Sequence, residues 1–350
     1  KRLDMVISSG HDMLLKKDYA ALVDLHLLTA RDGARWHLIE KTPNQYDWSS
    51  FLPMVEAARD NQLQIIWELA HFGYPDHISV WKAGFVDHFE RYAREMARII
   101  RDQGIQQAFF TPVNQISFWS WAGADVAWFN PHASQRGKEL KRQLVRASLA
   151  AMQAIREVIP DARFVLTDPL VQIAHHPDNP DSKPGADAQH QAQFEAWDML
   201  AGRVDKELGG HEDFLDILGL NYYPDNHWFF PDRPMDRDDP VRAPLHILLA
   251  QYWQRYQRPM LIAETGAEGE ARAPWLQEVS ENVAVALDQG IAMEGISLYP
   301  VVEYPAWADD RRSPGSLLGL ADPNGNRTVH EDLALVLRSQ QIKFTKRDQS

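Results

Sequence analysis

The chain has 350 residues, 45% of them hydrophobic and 24% charged, with a formal net charge of −13. That length is large for one hydrophobic core, and eight-stranded α/β barrels, about 200 to over 400 residues long, are the usual exception. The composition excludes a disordered or fibrous chain. No apolar run approaches the roughly 18 residues of a membrane span, and Lys and Arg are mixed with acids, as in Lys138-Glu139-Leu140-Lys141-Arg142, instead of forming a phosphate-tracking stripe.

In chain order, eight short apolar runs are predicted as strands: Leu3–Ser9, Ala34–Ile39, Gln64–Ala70, Ala108–Asn114, Arg163–Thr167, Ile217–Asn221, Met260–Glu264 and Gly295–Tyr299. They are rich in β-branched and aromatic residues, as strands buried on both faces should be. Amphipathic segments separate them. Phe85, Phe89, Tyr92, Met96 and Ile100 share one helical face, as do Leu276, Val279, Val283 and Leu287. Asp47 is placed to cap a helix ahead of Phe51, Val55 and Ala58, and Gly290 to end the helix before the last strand. Strict alternation implies parallel strands closing into one (β/α)8 barrel over residues 1–350. An open nucleotide-binding sheet would carry Gly-x-Gly-x-x-Gly after an early strand, and that motif is absent. No signal peptide is visible, and no residue is cysteine. The latter removes disulfides and thiolate chemistry and fits a reducing, cytoplasmic setting.

Long irregular connections are expected at 116–134, 168–188 and 222–241, all leaving C-terminal strand ends, where barrel enzymes keep their active sites. Those ends read His11-Asp12, Arg35-Trp36-His37, Glu68 and His71, Asn114-Gln115, Asp168, Asn221-Tyr222-Tyr223, Glu264, and Tyr299 to Glu303. Carboxylates, amides, imidazoles and flat rings together suit a sugar, with hydroxyls to hydrogen-bond and a face to stack. Glu264 is the sharpest position, a charge closing the run Met260-Leu261-Ile262-Ala263. Such a charge is costly unless it faces an open site or a partner. For a lone Glu a strand cap or arginine pair is the better reading, and the surrounding constellation reverses that.

On these residues the chain resembles glycoside hydrolase family 1 and, more loosely, the clan A barrel glycosidases. Ile262-Ala263-Glu264-Thr265-Gly266 is similar to the family's Ile-Thr-Glu-Asn-Gly, in which Glu is the nucleophile. By the same resemblance Arg35 is the arginine that steadies it, and His71 in His71-Phe72-Gly73-Tyr74-Pro75 binds the sugar. Gly219-Leu220-Asn221-Tyr222-Tyr223 matches Gly-x-Asn-Tyr-Tyr, whose second tyrosine, Tyr223 here, reaches the nucleophile. The resemblance implies a retaining β-glycosidase, β-glucosidase-like, that needs no cofactor and no metal and whose partner is a small glycoside or oligosaccharide.

Two positions depart from the family. Its Asn-Glu-Pro, where Glu is the general acid/base, reads Asn114-Gln115-Ile116 here, and an amide cannot give a proton to a leaving group at neutral pH. Three readings follow in order of preference: an acid/base variant with a natural Glu replaced, a myrosinase-like enzyme that uses Gln, or a sugar-binding pseudoenzyme. Retention of Glu264, Arg35 and Tyr223 argues against the last. The family's late strand-eight Glu falls on Ala306 in Tyr299-Pro300-Val301-Val302-Glu303-Tyr304-Pro305-Ala306-Trp307, so glucose recognition does not carry over. Glu303, Asp309 or Asp310 are candidate substitutes, and Tyr299 and Trp307 candidate stacking platforms.

In the mechanism this resemblance implies, Glu264 attacks the anomeric carbon, position 115 handles the proton, and Asn114 bonds the neighbouring hydroxyl. Elsewhere the plainer readings are preferred. The 14 histidines show no zinc-ligand spacing, His175-His176 included, and are read as surface residues. Asp168 reads as the cap of a turn. Phe118-Trp119-Ser120-Trp121 reads equally as a pocket wall or a buried anchor.

Overall fold

The computed structural model describes residues 3–105, 107–305 and 311–348. By its contacts the chain divides into two compact units, 29–170 with 187–221 and 1–28 with 171–186 and 222–350.

The first unit carries five parallel strands in chain order: β1 (Thr29–Gly33), β2 (Gln64–Ala70), β3 (Phe109–Val113), β4 (Arg163–Pro169) and β5 (Ile217–Asn221). Their register sets Gly33 beside Glu68, Glu68 beside Thr111, and Pro169 beside Asn221, so polar residues gather at the C-terminal ends. Helix Gly84–Asp102 buries the predicted stripe of Phe85, Phe89, Tyr92, Met96 and Ile100, and Ala93 and Ala97 complete it. Trp36 stacks on Tyr92 at 5.1 Å between ring centroids and tilts against Phe85 and Phe89. Each such side chain contributes about 1.5–3 kcal/mol by leaving water.

The second unit contains the parallel pair β6 (Met260–Thr265) and β7 (Met293–Leu298). Helix Arg272–Asp288 buries Leu276, Val279 and Val283 as expected and ends before Gly290 at φ 78°. Leu276 joins Leu317, Leu333, Ala334 and Leu337 in one apolar cluster. A small sheet of Gln172–Ala174, His227–Phe229 and Arg233–Pro234 occupies stretches expected to be irregular. The stretch after β3 likewise begins as helix Ile116–Ala124. Among the described residues no helix is long and apolar enough to cross a membrane.

Two predicted strands are corrected. Leu3–Ser9 contains the helix Met5–Ser8, capped by the Asp4 side chain on the Ile7 N–H. His11 therefore opens the next helix, His11–Asp24, and does not end a strand. The second predicted strand, Ala34–Ile39, lies five residues too late: the strand is Thr29–Gly33, and Trp36–Ile39 is a helical turn. Asp47 does cap, accepting from the Ser49 N–H, but it caps the 3-10 turn Trp48–Ser50.

Candidate functional site

In the first unit four side chains close a hydrogen-bonded ring. Arg31 Nη1 donates to Glu68 Oε1 at 2.6 Å and to Asn114 Oδ1 at 3.0 Å. His71 Nδ1 meets Glu68 Oε2 at 2.9 Å, and Asn114 Nδ2 meets His71 Nε2 at 3.3 Å. Because a guanidinium only donates and a carboxylate only accepts, the ring has one consistent proton assignment. His71 donates from Nδ1 to Glu68, and its Nε2 faces the Asn114 amide N–H. Thr167 Oγ1 at 3.0 Å and Asn221 Nδ2 at 3.4 Å also donate to Asn114 Oδ1, which fixes the amide's orientation. Burial pushes the Glu68 carboxyl up, but Arg31 and then His71 outweigh it and leave the group below its ordinary value.

The backbone at Asn114 and Gln115 is tied on both sides. The Asn114 N–H donates to Ala70 O at 3.0 Å and the Gln115 N–H to Thr167 O at 3.1 Å. Gln115 is buried at 9% exposure and left-handed, with φ 48° and ψ 64°, immediately before helix Ile116–Ala124. A non-glycine residue held there is strained, a condition that clusters at functional sites. Asp168 accepts from the Ser117 N–H at 2.9 Å, so it serves the first turn of that helix and not the turn of its own Asp168-Pro169. Burial pushes its carboxyl up to about 7, against the pull of Ser117. Trp119 is a buried anchor whose indole N–H donates to Asn130 O at 2.7 Å, whereas Trp121 is 48% exposed.

In the second unit Glu264 is buried at 6% exposure on β6, and the Tyr223 hydroxyl donates to its Oε2 at 2.9 Å. Tyr223 is held by its own N–H on Asn226 Oδ1 at 3.0 Å. Its ring meets Tyr299 edge-on at 6.4 Å, and Tyr299 tilts against Tyr304 at 5.6 Å. The Glu264 carbonyl accepts from the Tyr222 N–H at 2.9 Å, and Trp275 Nε1 donates to Thr265 Oγ1 at 2.8 Å. The carboxylate thus sits on backbone pinned from both neighbours.

The expected residues fall unevenly on these clusters. His71 and Asn114 come together in one, with Gln115 next in the chain to Asn114, and Tyr223, Glu264 and Tyr299 in the other. Arg35 instead precedes the turn Trp36–Ile39, with Nη2 donating to Ser50 O at 3.4 Å. The arginine that β1 carries into the ring is Arg31, four residues earlier. His11 pairs with Asp18 at 2.8 Å, and Asp18 in turn accepts from Arg327 at 2.6 Å, a buried structural network. The Glu303 N–H donates to Leu318 O at 2.9 Å. Ala306, Trp307, Asp309 and Asp310 lie outside the described residues. Sequence reasoning missed Arg31 as a ring member and Thr167 as a donor to Asn114. The signal that could have found Arg31 was the charge inside Thr29-Ala30-Arg31-Asp32-Gly33, a stretch otherwise able to extend.

No protein-family model matches the sequence, and no curated protein matches it either. Solved structures do. The AHE enzyme from Alicyclobacillus herbarius aligns at a TM-score of 0.81 and 17% identity, covering 96% of this chain and 87% of that one. A family 1 β-glucosidase from Thermotoga maritima in complex with isofagomine lactam aligns at 0.79 and 16%, covering 95% and 87%. The same enzyme in a further structure gives 0.80 and 14%, covering 95% and 86%. At these identities the likeness shows the fold, and the fold is the α/β barrel of the β-glucosidases, as the strand–helix alternation implied.

Proposed function

We propose that the chain is a retaining β-glycoside hydrolase fold in which Glu264 is the nucleophile and position 115 the acid/base position, filled by glutamine. The observation that carries this reading is Glu264 at a strand end, buried, with the Tyr223 hydroxyl on one carboxylate oxygen at 2.9 Å. That contact holds one carboxylate oxygen in place, as a nucleophile that must meet a reacting carbon requires. The solved β-glucosidases of this fold include complexes with glucoimidazole, noeuromycin and deoxynojirimycin, which supports a sugar-sized partner.

In the double displacement Glu264 forms a glycosyl ester and water later hydrolyses it. Asn114 has its oxygen engaged by Arg31, Thr167 and Asn221 and one amide N–H on His71, so the second amide N–H is the one offered to a sugar hydroxyl. Gln115 can hydrogen-bond a glycosidic oxygen but cannot protonate it. General acid–base catalysis contributes about 10²–10⁴-fold, so the chain as written is slow on poor leaving groups. It retains its first step on activated ones.

The test is a panel of aryl glycosides. Gln115→Glu restores hydrolysis of ordinary substrates, and azide accelerates the unmodified chain on dinitrophenyl glycosides, giving the β-glycosyl azide. Glu264→Gln abolishes both. A second reading, a sugar-binding protein without hydrolysis, is favoured only by the amide at 115. A Gln115→Glu protein inert on every glycoside, with no covalent adduct on Glu264 by mass spectrometry, would establish that reading and remove ours.

A further inference from the structure

Away from the sugar chemistry, the first unit brings together a carboxylate and two imidazoles. Glu40 ends the turn after β1 and is 0% exposed. His77 comes from the segment after β2, and His88 from the start of helix Gly84–Asp102. His88 Nδ1 lies 2.9 Å and His77 Nε2 3.6 Å from the same oxygen, Glu40 Oε1, and the three atoms are all within 4.8 Å of one another. We propose that Glu40, His77 and His88 form a divalent transition-metal site, with zinc the ion their donor set fits.

The geometry supports an ion over a plain hydrogen-bond cluster. A neutral imidazole donating from Nδ1 accounts for the 2.9 Å contact of His88, but not for the second ring nitrogen, of His77, held 3.6 Å from the same oxygen, beyond hydrogen-bond length. Around a tetrahedral zinc with bonds of about 2.0–2.2 Å, ligand atoms stand roughly 3.3–3.6 Å apart; the His77 contact has that spacing, and the His88 contact at 2.9 Å would open slightly on binding. Two imidazoles and a carboxylate suit zinc, cobalt or nickel better than magnesium or calcium. The carboxylate is also oriented from outside, as ligands of built metal sites are. Trp36 Nε1 donates to Glu40 Oε2 at 2.8 Å, and the Asn44 N–H donates to Oε1 at 2.9 Å from a left-handed residue at φ 61°. Both histidine side chains remain 21% exposed, which leaves a side for water as a fourth ligand. A buried carboxylate needs positive charge nearby, and a divalent ion supplies it. The ion would clip the segment after β1 to the segment after β2, the two that follow Arg31 and Glu68.

The test uses the full chain stripped with a chelator and titrated with Zn²⁺ by calorimetry and with Co²⁺ by visible absorption. One equivalent of each is expected, with the intense d–d bands of a tetrahedral cobalt site and a rise in melting temperature. His77→Ala and His88→Ala should each weaken binding by more than the roughly 10–100-fold that loss of an outer contact costs. His211→Ala removes a histidine with 67% side-chain exposure and should change nothing. The chelated variants should melt with the chelated parent, which separates lost binding from lost folding. Absence of a cobalt band, or binding that survives both substitutions or falls equally with His211→Ala, overturns the proposal.

Discussion

Replacing Asp168 with asparagine tests the electrostatics beneath position 115. The Asp168 carboxyl is pushed from 3.8 up to about 7 chiefly by burial. One oxygen accepts from the Ser117 N–H, and the other is buried with no hydrogen-bond partner. A pKa raised in the folded state means that folding favours the protonated acid. The stability this confers is complete below the unfolded value near 4 and is lost as pH rises to about 7. Roughly 3 pK units at about 1.36 kcal/mol each put the loss near 4 kcal/mol. Asparagine keeps the acceptor for Ser117 and is never charged, but it sets an amide N–H₂ where the unpartnered oxygen was, at about 1–3 kcal/mol. The variant should therefore be more stable than the parent by about 1–3 kcal/mol at pH 8 and no more stable, or less, at pH 4.5. Urea unfolding of both proteins across that range measures the difference, and other titrating groups cancel in it. A difference that does not change with pH would show that Asp168 is not buried as a strained acid, and the reasoning would fail.

Glu68→Gln should destabilise the chain by about 3–5 kcal/mol at neutral pH, because it leaves Arg31 as a buried cation without its carboxylate. The lowered Glu68 value makes that effect fade as pH falls through the acid range, and denaturant melts at pH 7 and pH 3.5 check both. In a Gln115→Glu background, Tyr223→Phe should cost about 1.5–3 kcal/mol of transition-state stabilisation, the worth of a hydrogen bond to a charged group. That is roughly 10- to 150-fold in kcat/KM, read by steady-state kinetics. In the same background, the sequence resemblance that sets Ala306 against a distal glutamate predicts that plain β-glucosides are poor substrates beside fucosides, galactosides or xylosides. A strong glucoside preference would reverse the strand-eight reading.

The two misplaced strands explain why part of the site was hidden. β1 reads Thr29-Ala30-Arg31-Asp32-Gly33, with two charges and a glycine, because its end faces a polar ring. Trp36-His37-Leu38-Ile39 looks more like a strand because it is apolar, yet it is a helical turn with Trp36 packed on Phe85, Phe89 and Tyr92. Local pattern fails where function has displaced the core residues that make strands recognisable. The error drew attention to Arg35 and away from Arg31, the arginine that the strand carries.

The order of residues alone determined the alternation of strands and helices, the buried faces of helices Gly84–Asp102 and Arg272–Asp288, and the strand ends bearing Asn114-Gln115 and Glu264. These follow from spacing along one element, where each side chain's direction is set by a fixed repeat. Tertiary structure decided what no spacing encodes. It closed Arg31, Glu68, His71 and Asn114 into a ring from three strand ends, put the Tyr223 hydroxyl on Glu264, and gathered Glu40, His77 and His88 from separate segments. It also buried Asp168 deeply enough to move its proton affinity toward neutrality. Contacts between distant segments and the loss of water around a charge arise only once the chain has folded, because both depend on what the rest of the chain brings to the same place.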